Sequence, residues 1–62
     1  MAYYVVLMGQ AGRKGYYVSD DAPPVGDKAD ALGFDRRADA EAEAAMANAQ
    51  WALSAGERFE VE

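Results

Sequence analysis

Apolar positions along this chain change period twice. In "AYYVVLMG" (residues 2–9) both parities are apolar: Tyr3, Val5 and Leu7 point one way, and Tyr4, Val6 and Met8 the other. Tyr and Val favour extended backbone, so the stretch predicts a strand with two apolar faces. "KGYYVSD" (residues 14–20) predicts a second strand, with Tyr16 and Val18 opposed to Tyr17. Between them, "GQAGRKG" offers Gly9, Gly12 and Gly15 for the positive φ angles of a hairpin loop. "DDAPPVGDKAD" then breaks regular structure, because Pro23 and Pro24 lack N–H donors and Asp and Gly favour turns. A short extended piece at residues 31–34 is expected to pair with the sheet.

"DRRADAEAEAAMANAQWALSAG" (residues 35–56) switches to helical spacing and is rich in alanine, the best helix former. Asp35 is the expected N-cap and Gly56 the expected stop. Asp39, Glu41 and Glu43 suit the positive end of the helix dipole, whereas Arg36 and Arg37 oppose it; Glu41 is within i, i+4 reach of Arg37. "ERFEVE" alternates strictly, with Phe59 and Val61 on one side and Arg58, Glu60 and Glu62 on the other, which predicts a half-buried strand. The fold class that follows is α+β. An antiparallel three- or four-stranded sheet carries one long helix on one face, in the order strand, strand, short strand, helix, strand. Residues 1–62 make a single domain.

The helix has apolar residues on two sides. Ala40, Ala44, Ala47 and Trp51 form one stripe; Ala42, Met46, Ala49 and Leu53 form another nearly opposite. A helix on one sheet needs one stripe. The Trp51 stripe is expected to face the sheet, since three alanines allow close approach and Trp fills the end. Either the other stripe and the second sheet face are harmless alanine and wet tyrosine, or they are contact surfaces. In the second case Tyr4, Val6, Met8, Met46 and Leu53 are the residues for self-association, giving a homodimer or a structural module.

Sixty-two residues bury only roughly 60% of their unfolded surface. Small domains gain stability from disulfides, metals or association, and this chain has no cysteine and no histidine. No disulfide, usual zinc site or cysteine nucleophile is therefore available. No apolar run is long enough for a membrane span and nothing at the start reads as a signal peptide, so the expectation is a soluble protein of the cytoplasm of a host cell.

Charge sharpens the picture. Residues 1–19 hold Arg13 and Lys14 and no acid, whereas residues 20–62 hold eleven acids against Lys28, Arg36, Arg37 and Arg58. Such a field repels nucleic acid and attracts basic surfaces. The glycine loop matches neither phosphate-binding pattern and joins two strands rather than a strand to a helix. Its GxxG lacks the helical setting of an RNA-binding KH clamp, and Tyr3, Tyr4, Tyr16 and Tyr17 lack the cations that base stacking needs. Asp20, Asp21, Asp27 and Asp30 lack the calcium-loop spacing. With Ser19 and Ser54 as the only hydroxyl nucleophiles besides tyrosine, no enzyme, cofactor or metal site is expected.

Three resemblances follow from these residues. Ala31, Phe34, Asp35 and Ala40 match an A-x-x-F-[DST]-x-x-x-x-A helix entry, flanked by Tyr16–Val18 and Phe59–Val61. In this the chain resembles small phage and bacterial proteins with a tyrosine-rich hairpin, largely of unknown function. The Tyr/Val strand, "GYYV" and the Ala-rich helix are similar to HicB-type antitoxins, although "DDAPPVGD" lacks their Leu-Pro-Gly-Cys part. By type, the chain resembles acidic phage inhibitors of host defence, anti-CRISPR proteins among them, several of which look like nucleic-acid mimics. That last likeness implies a non-enzymatic inhibitor that blocks a basic nucleic-acid-binding surface, for example on a CRISPR effector subunit, without touching nucleic acid or membrane. Its contact charges would be Asp20, Asp21, Asp27, Asp30, Asp39, Glu41 and Glu43. The alternatives are the self-associating module and an antitoxin-like partner of a small basic toxin.

Overall fold

A computed structural model describes residues 2–62. It is an α+β domain of four antiparallel strands and one helix: β1 (Tyr3–Gly9), β2 (Gly12–Tyr16), β3 (Gly33–Phe34), α1 (Arg37–Gln50) and β4 (Arg58–Val61). A single 3-10 turn, Lys28–Asp30, interrupts the long loop between β2 and β3. Every other strand pairs with β1. Glu62 exchanges both backbone hydrogen bonds with Tyr4, so β4 and its continuation hold one edge of β1. β3 meets Tyr3 and Tyr4 and therefore lies on the opposite edge, continuing the lane that β2 leaves after Tyr17. The sheet is three lanes wide, with β1 in the middle.

The hairpin is tighter than the glycine pattern predicts. Gln10 and Ala11 alone make the turn, and Gly12 at φ +118 returns the chain to the ladder. β2 thus begins at Gly12 and ends at Tyr16, two residues earlier at its start than Lys14 and four earlier at its end than Asp20. Leu7 pairs with Gly15 and Met8 with Arg13, which makes Lys14 the extra residue of a bulge. Gly15 has a negative φ and serves close approach instead. A Cβ there would lie 3.0 Å from Pro24 Cβ and 3.2 Å from the Val25 carbonyl oxygen. This approach lets Val25 exchange two backbone hydrogen bonds with Tyr16 and cover the outer edge of β2.

The helix is shorter than expected at both ends. Asp35 is not its N-cap: that place belongs to Arg36, extended at φ −123 and ψ 137, with no side-chain hydrogen bond. Phe34 is tied to Tyr3, and a bend at Asp35 and Arg36 swings the chain from the sheet edge onto its face. Gly56 does not stop the helix either. Trp51 turns to φ −79 and ψ 143, and Gly56 at φ +85 sits in the turn closed by the Glu57 N–H on the Ser54 carbonyl. Fourteen helical residues span about 21 Å. The seven residues of β1 span about 23 Å, so the helix and the central strand are matched in length.

The Trp51 stripe faces the sheet, as its alanines predict. Ala40, Ala44 and Ala47 are buried against Val5, Leu7, Tyr17 and Phe59, and Tyr3, Phe34, Trp51, Leu53 and Val61 close the margins. Tyr17, Trp51 and Phe59 meet in mutually tilted pairs, Trp51 and Phe59 being closest at 5.1 Å between centroids.

The opposite sheet face carries Tyr4, Val6, Met8, Arg13, Tyr16, Arg58 and Glu60, as the register dictates. No helix covers it. Instead Tyr4 and Tyr16 pack edge to face, Arg13 lies 5.0 Å over the Tyr16 ring, and Lys28 lies 5.2 Å over Tyr4. Both cations reach the Glu62 carboxylate at 2.9 Å. The four tyrosines are thus divided between two faces and form no common platform.

The residues named for self-association do not share a surface. Val6 is only 2% exposed, between Tyr16 and Glu60 across the ladders. Leu53 is packed on the core, because the helix ends before it and the chain turns back inward. Tyr4 and Met8 are half-buried on the far sheet face, whereas Met46, 47% exposed, looks out from the helix on the other side of the molecule.

Candidate functional site

The chemistry on this surface is its charge, and folding sorts that charge. Five ion pairs form among the described residues: Arg13 and Lys28 with Glu62, Lys14 with Glu57, Arg37 with Glu41, and Arg58 with Glu60. Four of the five glutamates are thereby neutralised. Every aspartate, together with Glu43, stands outside these pairs, and among the described residues Arg36 is the one basic side chain outside them. Pairs this exposed add little stability each. Their effect is to cancel charge on the far sheet face, at the hairpin end and along the β4 flank of α1. The Lys28 ammonium is held above its ordinary range chiefly by its hydrogen bond to Glu62, and Glu62 in turn lies below the usual carboxylate range. Glu57 is lowered too, first by Lys14 and then by the Ser54 N–H.

What remains is an acidic face centred on Tyr17. The Tyr17 hydroxyl donates to Glu43 Oε2 at 2.6 Å, which aims that carboxylate along the edge of α1 nearest the β2 side. Asp39 is exposed one helical turn earlier on the same flank. Asp20 and Asp21 stand in the turn after β2, close enough for their fields to act on the Tyr17 phenol. Burial first, then Glu43, then these two aspartates push that phenol far above its ordinary range. Asp20 and Asp21 also line a concavity of about 460 Å³ with Ala22, Pro23, Gln50 and Trp51. Ser19 donates to Asp21 at 2.7 Å and fixes the turn.

The seven acids named from the sequence therefore separate into groups. Asp20, Asp21, Asp39 and Glu43 belong to this face. Glu41 does not: it is on the opposite flank of the helix, bound to Arg37 at 2.8 Å. Asp27 caps the 3-10 turn by accepting from the Ala29 N–H, and Asp30 is exposed within that turn. Tyr17, which organises the face, reads in sequence as one more strand aromatic. The sign that could have singled it out is its placement on the core parity of β2, one residue from Tyr16 on the other.

No known family, characterised protein or solved structure matches the chain. Its surface is therefore the guide to its function. Among the described residues no helix is long and apolar enough to cross a membrane.

Trp51 joins the core to this face. Its Nε1 is buried without a hydrogen-bond partner. A buried orphan donor costs about 1–3 kcal/mol. Trp51→Phe removes that donor and keeps an aromatic ring, so it should stay within about 1 kcal/mol of wild type, against about 3–5 kcal/mol for a typical Trp→Ala truncation. Urea unfolding of Trp51→Phe and Trp51→Ala checks this, and equal losses in both would refute it.

Proposed function

We propose that this protein is a non-enzymatic acidic binding module. It docks on a basic protein surface through Asp20, Asp21, Asp39 and Glu43 and excludes nucleic acid from that surface. This is the mode of action of a phage-encoded inhibitor of a host defence complex, with a CRISPR effector subunit as one such target. The observation that carries the reading is the sorting of charge: ion pairs consume the glutamates elsewhere and leave Asp20, Asp21, Asp39 and Glu43 unpaired. A purely solubilising surface has no need of such segregation, since interspersed signs serve solubility well. A single-signed face speeds encounter with an opposite one and sets orientation.

An arginine-rich peptide immobilised at low salt is a suitable first probe. Asp20→Asn, Asp21→Asn and Asp39→Asn combined should weaken binding by about tenfold, at about 0.5 kcal/mol for each exposed charge. Glu41→Gln, Glu60→Gln and Glu62→Gln combined change formal charge equally but touch acids already paired, and should weaken it much less. Equal losses in the two triple variants would mean that net charge alone is read and would sink the proposal. Pull-down from a host lysate with both variants then looks for a protein lost only from the first.

A further inference from the structure

β4 is an edge strand, and its outer edge is closed by a side chain. Glu62 exchanges both backbone bonds with Tyr4, so alternation turns Glu60 inward to β1 and turns Val61 and Phe59 outward. Phe59 has both outward groups occupied by one residue. Its N–H donates to Asn48 Oδ1 at 2.7 Å, and its carbonyl oxygen accepts from Asn48 Nδ2 at 3.1 Å. A carboxamide presents the same donor and acceptor as one residue of a paired antiparallel strand. Asn48 reaches across from the last turn of α1 to occupy the place of a fifth strand. On the same edge, the Glu57 N–H is used by the Ser54 carbonyl. Val61 has no such partner among the described residues, and a concavity of about 450 Å³ lies beside it between α1 and β4.

We infer that this edge is a latent interface for a second copy of the chain, held shut by Asn48. The argument for a second copy is charge complementarity in register. An isologous antiparallel pair centred on Phe59 sets Arg58 of one chain opposite Glu60 of the other, twice. Centring on Glu60 sets Glu60 against Glu60 as well as Arg58 against Glu62, and centring on Val61 sets Glu60 against Glu62, so both bring like charges together. The register in which no like charges meet is therefore the one centred on Phe59, and it pairs through the N–H and carbonyl that Asn48 holds. Open edges invite pairing, and native sheets block them by such devices. The alanines beside the edge, Ala44 and Ala45, leave space for a neighbouring helix.

Sedimentation velocity tests the inference. Wild type is expected to sediment as a monomer, and Asn48→Ala as a monomer–dimer mixture that shifts to dimer with concentration. In the dimer the Val61 amide, open in wild type, becomes protected from hydrogen exchange. Adding Arg58→Glu to Asn48→Ala should return the monomer, and adding Glu60→Arg to that pair should restore the dimer. A folded Asn48→Ala that stays monomeric at every concentration overturns the proposal, as does a dimer indifferent to Arg58→Glu. Should Asn48→Ala fail to fold, Asn48→Asp keeps the acceptor for the Phe59 N–H and loses the donor to its carbonyl. It is read by the same two criteria.

Discussion

Tyr17→Ala should leave the protein largely unfolded at ordinary temperature. Tyr17 is 2% exposed, touches both Trp51 and Phe59, and packs under the alanine stripe of α1. Truncating a buried ring of this size costs about 3–5 kcal/mol. A domain of 62 residues has about 3–9 kcal/mol in all. Tyr17→Phe isolates the hydroxyl. It keeps the ring but removes the bond to Glu43, and should cost about 1–2 kcal/mol. The two variants also differ from wild type in base. Because the folded state holds the phenol protonated to higher pH than the unfolded chain does, the stabilisation is complete below the ordinary tyrosine range near 10. It is lost as pH climbs above that value toward the raised one. Tyr17→Phe should lack this part of the alkaline decline. Circular dichroism melts from neutral pH upward measure it, and an identical decline in wild type and Tyr17→Phe would show that the phenol is not held neutral by folding.

Ala40→Leu should be damaging in the opposite way, by overpacking, at about 1–3 kcal/mol. Ala40 is 0% exposed where α1 crosses the sheet. Its methyl group sets how closely helix and sheet approach, and three extra carbons there must lift the helix or force side chains off their rotamers. The loss should spread to the Tyr17–Glu43 bond, because lifting α1 carries Glu43 away from the phenol. Ala42→Leu is the control. Ala42 faces outward on the same helix, and a change there should stay within about 0.5 kcal/mol. Paired urea titrations decide it: comparable losses at the two positions would mean that the helix–sheet spacing is not set by alanine.

The contrast between Ala40 and Ala42 also shows what the sequence made legible. Spacing alone separates the two stripes, and Trp51 at the end of one tells which is inside. β4 is equally open to reading, because strict alternation of Phe59 and Val61 with charges admits one pairing face. The pairing of residues 33–34 with β1 follows from their extended character. Other features depend on what lies elsewhere in space. Asp35 looks like a cap, yet the β3 pairing of Phe34 decides where the helix can begin. Gly56 looks like a stop, yet the chain leaves the helix at Trp51 to complete an aromatic cluster with Tyr17 and Phe59. Lys14 as a bulge residue, and Asn48 as the partner of a strand edge eleven residues away, carry no local signal at all. For the acidic face, composition predicts an excess of acid but not its distribution. Which carboxylates are cancelled is settled by the sheet register, through Glu60 and Glu62, and by helix phase, through Glu41.

The central place of β1 has a kinetic side. Its pairing with β2 closes a turn of two residues, Gln10 and Ala11, whereas its pairing with β4 joins Val5 to Val61. Short loops close in about 10–100 ns, whereas pairings distant in the chain are intrinsically slow. During synthesis the hairpin can therefore form early, but the most hydrophobic strand of the protein keeps one edge bare until residues 58–61 have left the ribosome. Until then the central strand is half paired and open to aggregation, so translation rate through the helix is expected to affect yield more than the stability of the finished fold would suggest.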